Sequence, residues 1–381
     1  MKRLAPFLAG LLLLVHSGRA AEYFVAPTGA DTHAGTQREA PFRTIQKGVN
    51  ALQPGDTLTI APGEYHEAVH REGLGGEGAQ TVIRAAIPGT VLLRGDAPLP
   101  PFRKVEGRRM IHVTPWDGEK EVQVVNELET ATVLERLPNL AELEYSTGFY
   151  QDREGGKLYI SSPDGDAAAM RHYTAGLIPK HGLSLVRPVR VVVEGLTFTG
   201  FNTATGMPRN AFSFRGVWGI FLLKPKACIV RDCTTYLNGH GIGLNMLAAT
   251  EADTGDNVVE GCTSWANSSQ FGEGDMGGIS LYSPRRDAVR RSLAFLNKKY
   301  GIHIYHGWKS GLDPQNRSTL EDNVAWGNYC DFKIKTGDEY LHTVERSAGP
   351  GLWSVKTAIS CLQGSKEKGD PENTISLEAF P

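Results

Sequence analysis

Residues 233–238 read "CTTYLN", and the same pattern returns as "CTSWAN" (262–267), "SLAFLN" (292–297) and "NVAWGN" (323–328). An aromatic ring stands fourth in each copy, at Tyr236, Trp265, Phe295 and Trp326, and asparagine stands last, at Asn238, Asn267, Asn297 and Asn328. Successive asparagines are 29, 30 and 31 residues apart. Self-similarity at a period of roughly 20–50 residues is the mark of a solenoid or an array. A period that drifts by one residue, with the variation placed in loops, is what a coil of stacked strands produces.

A short strand with alternating apolar residues follows each asparagine: "GIGLN" (241–245), "GISLY" (278–282), "GIHIY" (301–305) and "DFKIK" (331–335), with an earlier copy in "GIFLL" (219–223). In stacked coils equivalent residues lie one above another, about 4.8 Å apart. Asparagines in such a column can hydrogen-bond side chain to side chain and tolerate a left-handed bend. The aromatic column is expected to fill the interior. Together these features resemble the right-handed parallel β-helix of the pectate-lyase-like superfamily, in which asparagine and aromatic ladders recur. The resemblance implies an all-β solenoid acting on carbohydrate, as polysaccharide lyases and related β-helix glycoside hydrolases do. A β-sandwich with regular turns is the competing architecture.

The N-terminal region fits the solenoid. After the strand in "EYFVAP", a short helix with Phe42, Ile45, Val49 and Leu52 on one stripe is expected to plug the open end of the coil, followed by "TLTIAPG". The order of these pieces resembles the amino-terminal cap of secreted β-helix carbohydrate enzymes. Residues 97–178 break the rhythm with Pro98, Pro100 and Pro101 and with the hairpin-like "GFYQDREGGKLYISSPDGD" (148–166). They read as a small β-rich insertion, similar to those of some β-helix hydrolases acting on xylosides. The division expected is 1–20 as a signal peptide, 21–96 as the cap and first coils, 97–178 as the insertion, and 179–381 as the main coils with a polar C-terminal tail.

The chain has 381 residues and a net charge of −2, which gives no reason to expect nucleic acid or a membrane surface as partner. Lys2 and Arg3 precede the apolar run Leu11–Val15, and Gly18-Arg19-Ala20 supplies a cleavage site, so a secreted or periplasmic monomer is expected. Five cysteines with no CxxC pair are neither a disulfide framework nor a structural zinc site. Cys233 and Cys262 occupy equivalent positions and are expected to stack inward.

Alternation places Gly243 and Asn245, Ser280 and Tyr282, His303 and Tyr305, and Lys333 and Lys335 outward on four successive rungs, a patch of roughly 15 Å by 7 Å. The long loops beside them add His306, Trp308 and Arg317, and the acidic Asp253, Glu273 and Asp275. Loops of that length flanking one sheet can build a groove for an extended polymer. His303, Tyr305, Lys333 and Tyr282 are the catalytic candidates. Lys335, Asn245, Trp308, His306 and Arg317 are candidates for substrate binding, and Glu273, Asp275 and Asp253 for calcium.

Two chemistries compete. β-Elimination next to a uronate carboxyl group needs a base of the lysine, histidine or tyrosine type and cations to neutralise the carboxylate; lyases of the resembled superfamily use lysine or arginine bases with calcium. Glycoside hydrolysis needs two carboxylates flanking the bond, for which Asp275 and Asp331 are the loosely placed pair. The residue types favour a lyase on an anionic polysaccharide, the insertion favours a hydrolase, and a non-catalytic glycan-binding β-helix is the third option.

Overall fold

The computed structural model of the chain describes residues 20–117, 121–162, 165–202, 216–246, 254–268, 277–305, 318–334 and 342–345. The expected signal peptide and the tail beyond 345 lie outside the described residues. The chain winds as a right-handed parallel β-helix with three faces: a first sheet of nine strands, and a second and a third of seven each. Each coil contributes one short strand to each sheet. Ile220, Ile242, Ile279 and Ile302 line up in register inside the second sheet, as do Val230, Val259, Val289 and Leu320 inside the first. All are fully buried. Burying a branched aliphatic side chain stabilises by roughly 1.5–3 kcal/mol, and this column repeats on every coil.

The corners explain the repeat. Leu237, Ala266, Leu296 and Gly327 all have positive φ, between 50° and 65°. Each immediately precedes its asparagine, so the left-handed bend falls one residue earlier than expected. A left-handed non-glycine residue costs roughly 1–2 kcal/mol. The asparagines offset that. Asn267 Oδ1 accepts from the backbone N–H of Asn238 (3.1 Å) and from its Nδ2 (3.2 Å), while its own Nδ2 donates to Asn297 Oδ1 (2.9 Å). Asn297 repeats the pattern with Asn328 at 2.9 Å for both donors. Several buried bonds at about 1 kcal/mol each outweigh one strained residue. The glycine that opens the next strand is required here, because a Cβ on Gly278 would lie 2.7 Å from Asn297 Nδ2.

The aromatic column departs from the expectation. In "TTY", "TSW", "LAF" and "VAW" the middle residue is buried and the ring is only half-buried. The interior is narrow at the third sheet, where Thr235, Ser264, Ala294 and Ala325 point inward. The rings therefore stack outside it, with centroids 4.9, 5.8 and 4.2 Å apart and planes within 9° of parallel.

Two further polar columns share the period. Cys228 N–H donates to Asn257 Oδ1, Asn257 N–H and Nδ2 donate to Asp287 Oδ1, and Asp287 N–H donates to Ser318 Oγ. Cys262 N–H donates to Ser292 Oγ, and Ser292 N–H to Asn323 Oδ1. Cys233 and Cys262 do point inward and are fully buried, and burial raises the Cys262 thiol pKa well above its ordinary value.

The helix Ile45–Ala51 sits at the N-terminal end, with Phe42, Ile45, Val49 and Leu52 buried as the stripe requires. Thr44 caps it, and the Glu67 carboxylate accepts from the N–H groups of Ile45 (2.8 Å) and Gln46 (3.0 Å). Between the coils, two four-stranded antiparallel sheets interrupt the helix. The chain leaves through Asp96–Pro98 and returns through Tyr173–Gly176, and these two strands pair with each other. Phe102, Phe149, Leu158, Ile160 and Tyr173 give the insertion its own core.

Burial pushes the Asp287 carboxyl up to about 6, against the opposing pull of N–H donors from Asn257 and Arg285. The native state then binds more protons than the unfolded chain between about pH 4 and pH 6, so this group lowers stability as pH rises through that window, by up to about 3 kcal/mol. Urea unfolding of the wild type and Asp287→Asn at pH 4 and pH 7.5 should show the wild type losing about that much relative to the variant. A pH-independent difference would contradict it.

Candidate functional site

The outer face of the second sheet carries two columns set by strand register. Phe221, Gly243, Ser280, His303 and Lys333 form one; Leu223, Asn245, Tyr282 and Tyr305 form the other. The sequence placed them outward, and they do point away from the coil interior. They are not an open patch, however. Asn245, Ser280, Tyr282 and His303 are all at most 1% exposed, and Leu223, Tyr305 and Lys333 are half-buried.

The reason is a second apolar layer outside the sheet, separate from the core, in which Trp218, Phe221 and Tyr282 pack with Leu223 and Tyr305. Trp218 lies across the bare Cα of Gly243, where a Cβ would come within 2.7 Å of its ring. It also contacts His240 at 4.7 Å and meets Tyr282 edge-on at 6.2 Å.

His303 sits at the centre of the ring cluster. Its imidazole is 5.9 Å from the Tyr282 ring, 6.0 Å from Tyr305 and 4.8 Å from Tyr300, centroid to centroid. Tyr282 and Tyr305 are themselves 5.9 Å apart. One rung on, Lys333 holds its Nζ 5.2 Å from the centroid of the Tyr300 ring, a cation–π contact. One rung back, the Ser280 hydroxyl is buried and has no hydrogen-bond partner among the described residues. An orphaned buried hydroxyl costs about 1–3 kcal/mol, which a polar ligand beside His303 would recover.

At the far end of the same face, His181 accepts the Trp218 N–H at 3.0 Å and packs on Phe221. Burial, with the charge of His70 adding to it, pushes His181 down to about 4.

His303, Tyr305, Lys333 and Tyr282 are thus brought together, with Asn245 one rung from Tyr282. Lys335, His306, Trp308, Arg317, Glu273, Asp275 and Asp253 lie outside the described residues. So do most of the loops that leave this face, at 247–253, 306–317 and 335–341. Among the described residues no group of three or more His, Cys, Asp or Glu side chains could hold a metal ion.

Asp331, half of the hydrolytic pair, has a different role. It occupies the position of the strand-opening glycines, is 5% exposed, and its Oδ1 accepts from both the N–H (3.1 Å) and Nδ2 (2.9 Å) of Asn328. It closes the asparagine column. The remaining carboxylate at an outward position of this sheet, among the described residues, is Glu72, which pairs with Arg187.

Trp218, Phe221, His240 and Tyr300 were missed in the sequence. Phe221 was within reach, because the alternation that set His303 outward also sets Phe221 outward in "GIFLL". Trp218, His240 and Tyr300 are the first residues of their strands, one before the apolar repeat, and share the parity of inward Ile220, Ile242 and Ile302, so alternation points them the wrong way.

A family model described as "Protein of unknown function (DUF1565)" matches residues 27–72, the cap and the start of the first coil. No curated protein matches. Among solved structures, the complex of XylC with xylose aligns with a TM-score of 0.57 at 12% identity, over 86% of this chain and 65% of that one. Pectate lyase Pel9A aligns with a TM-score of 0.50 at 13% identity, over 88% of this chain and 64% of that one. The chain spans a little under two thirds of the length of either protein. At these identities the likeness is one of fold: this is a right-handed parallel β-helix.

Asp331→Asn keeps the acceptor oxygen and should unfold in urea within about 1 kcal/mol of the wild type, with any turnover retained. Asp331→Ala leaves the half-buried Asn328 N–H without its acceptor, while Asn328 Nδ2 keeps Ala294 O at 2.8 Å, and should cost about 1–2 kcal/mol. Loss of turnover in a stable Asp331→Asn protein would return the carboxylate to catalysis.

Proposed function

We propose that the protein is an exported carbohydrate-active β-helix enzyme that cleaves uronate-containing polysaccharide by β-elimination on the outer face of the second sheet. The observation that carries this reading is the composition of the cluster around His303. It holds an imidazole, phenols and an ammonium on adjoining rungs, with no carboxylate pair beside them among the described residues. That set suits proton abstraction and charge neutralisation better than glycoside hydrolysis, which needs two acids.

In the proposed reaction the uronate carboxylate lies against Lys333, whose charge stabilises the carbanionic character that develops next to it. His303 or Tyr305 takes the proton from the carbon bearing the carboxylate. The electron pair forms a carbon–carbon double bond as the adjacent glycosidic carbon–oxygen bond breaks. The leaving oxygen acquires a proton from the second of these groups or from water. Tyr282 fixes the imidazole by its edge-on contact. Asn245 is proposed to hydrogen-bond a sugar hydroxyl, and half-buried Tyr305 to offer its ring to the sugar. Trp308, His306, Arg317 and Lys335 are proposed to extend the binding surface, and Asp253, Glu273 and Asp275 to bind calcium.

Ultraviolet absorbance during incubation with pectic, alginate and glycosaminoglycan polymers, with and without calcium, tests the reading. A rising signal that falls at least a hundredfold in His303→Ala and in Lys333→Ala is expected. New reducing ends without new absorbance would mean hydrolysis and overturn it.

A further inference from the structure

The insertion presents a second, independent surface. Its four-stranded sheet buries Phe149, Leu158 and Ile160 on one side. On the other side, register sets Arg103, Val113, Tyr159 and Tyr150 in one row across all four strands. Three strand spacings make that row about 14 Å long. The tyrosine rings stack loosely, with centroids 6.4 Å apart and planes 27° apart, each half-buried.

At the Arg103 end the row opens into a cavity of about 460 Å³, walled by Pro100, Pro101, Pro115 and the glycine turn at Gly155 and Gly156, with Arg103 and Lys157 at its lining. That volume is within the range of small-ligand sites. The turn is fixed from behind by Asp152, whose Oδ1 accepts the Gly155 N–H at 2.8 Å, and by the Trp116 N–H, which donates to Gly156 O at 2.9 Å.

Arg108, Arg136, Arg153 and Arg171, also in the insertion, each pair with a glutamate. Arg103 and Lys157 are exposed and have no ion-pair partner among the described residues; Asp152 faces Lys157 across the hairpin but is tied to the turn by the Gly155 N–H, and no carboxylate lines the cavity itself. Two uncompensated cations at the mouth of a rigid cavity call for an anion. Two adjacent, half-buried tyrosine rings in the same row call for a partly apolar ligand. An acidic sugar chain has both features at a spacing the row can read.

We infer that this face of the insertion is an accessory binding site for an acidic oligosaccharide, with a carboxylate between Arg103 and Lys157 and the following sugar rings on Tyr159 and Tyr150. The site needs no turnover on the second sheet, so it stands or falls apart from the reading proposed there.

Titration calorimetry on the full chain at low ionic strength tests it, using the Lys333→Ala protein so that the second-sheet face is weakened. The probes are tri-galacturonate, neutral xylotriose and hexaglutamate. Tri-galacturonate should bind and xylotriose at least tenfold more weakly. Adding Arg103→Ala with Lys157→Ala should weaken tri-galacturonate at least tenfold, and Tyr159→Ala at least fivefold. Arg103→Gln with Lys157→Gln, at the same exposed positions, replaces the alanine pair if that protein does not fold. No binding of tri-galacturonate, or unchanged affinity in the charge variants, overturns the site. Hexaglutamate binding as tightly as the trisaccharide shows a surface that reads charge alone, and overturns its assignment to sugar.

Discussion

Every coil of this molecule depends on one bend. The chain turns from the third sheet to the second through a single left-handed residue, and three of the four in the repeat, Leu237, Ala266 and Leu296, are not glycine. That conformation is unfavourable alone. It is tolerable because the next residue places an amide inside the corner, where it bonds the coils above and below. Asn238, Asn267, Asn297 and Asn328 therefore hold strand spacing, corner angle and register at once. The same corner dictates the glycines at 278 and 301, which have no room for a Cβ beneath the amides, and at 241, where the Ser264 hydroxyl and the Gly278 carbonyl take that space. Where the column ends, an aspartate takes the glycine position and supplies the last acceptor.

Fixed register makes the outer faces chemically distinct. The third sheet carries the stacked rings, whose faces cover one another and leave edges toward solvent. The second sheet carries a compact layer of rings, imidazoles and one ammonium, packed tightly enough to bury His303 and Tyr282. The insertion adds a third kind of surface, with its own small core and with Arg103 and Lys157 unpaired among the described residues. A β-helix can place different chemistry on each face because no outward side chain is needed to hold the coil together.

The architecture was legible because period and alternation are local properties of the sequence. The asparagines, the inward isoleucines and the cap stripe all follow from counting. The aromatic column was assigned to the interior because bulk was read as burial. Counting inward from Cys233 through Thr235 would have put Tyr236 outside. The columns through Asn257, Asp287 and Ser318, and through Cys262, Ser292 and Asn323, share the same spacing but vary in residue type, so no single letter repeats to reveal them. The candidate site was legible only in its strand positions. Asn245, Tyr282, His303, Tyr305 and Lys333 follow from alternation, whereas Trp218, His240 and Tyr300 reach the same layer from the first position of their strands, where the chain comes out of the corner and the period-two pattern has not yet set in. Burial of the layer was not legible at all, since it depends on what packs over the sheet from distant parts of the chain.

The central claim is that this buried layer around His303 receives a uronate. It is tested most directly by a crystal structure of the His303→Ala variant soaked with the acidic oligosaccharide that the wild type depolymerises. The account predicts a sugar carboxylate within hydrogen-bond distance of Lys333 Nζ, with a ring against Tyr305. Sugar bound elsewhere on the coil, with the Trp218–Tyr282–Tyr305 packing undisturbed, would contradict it and make that layer packing alone.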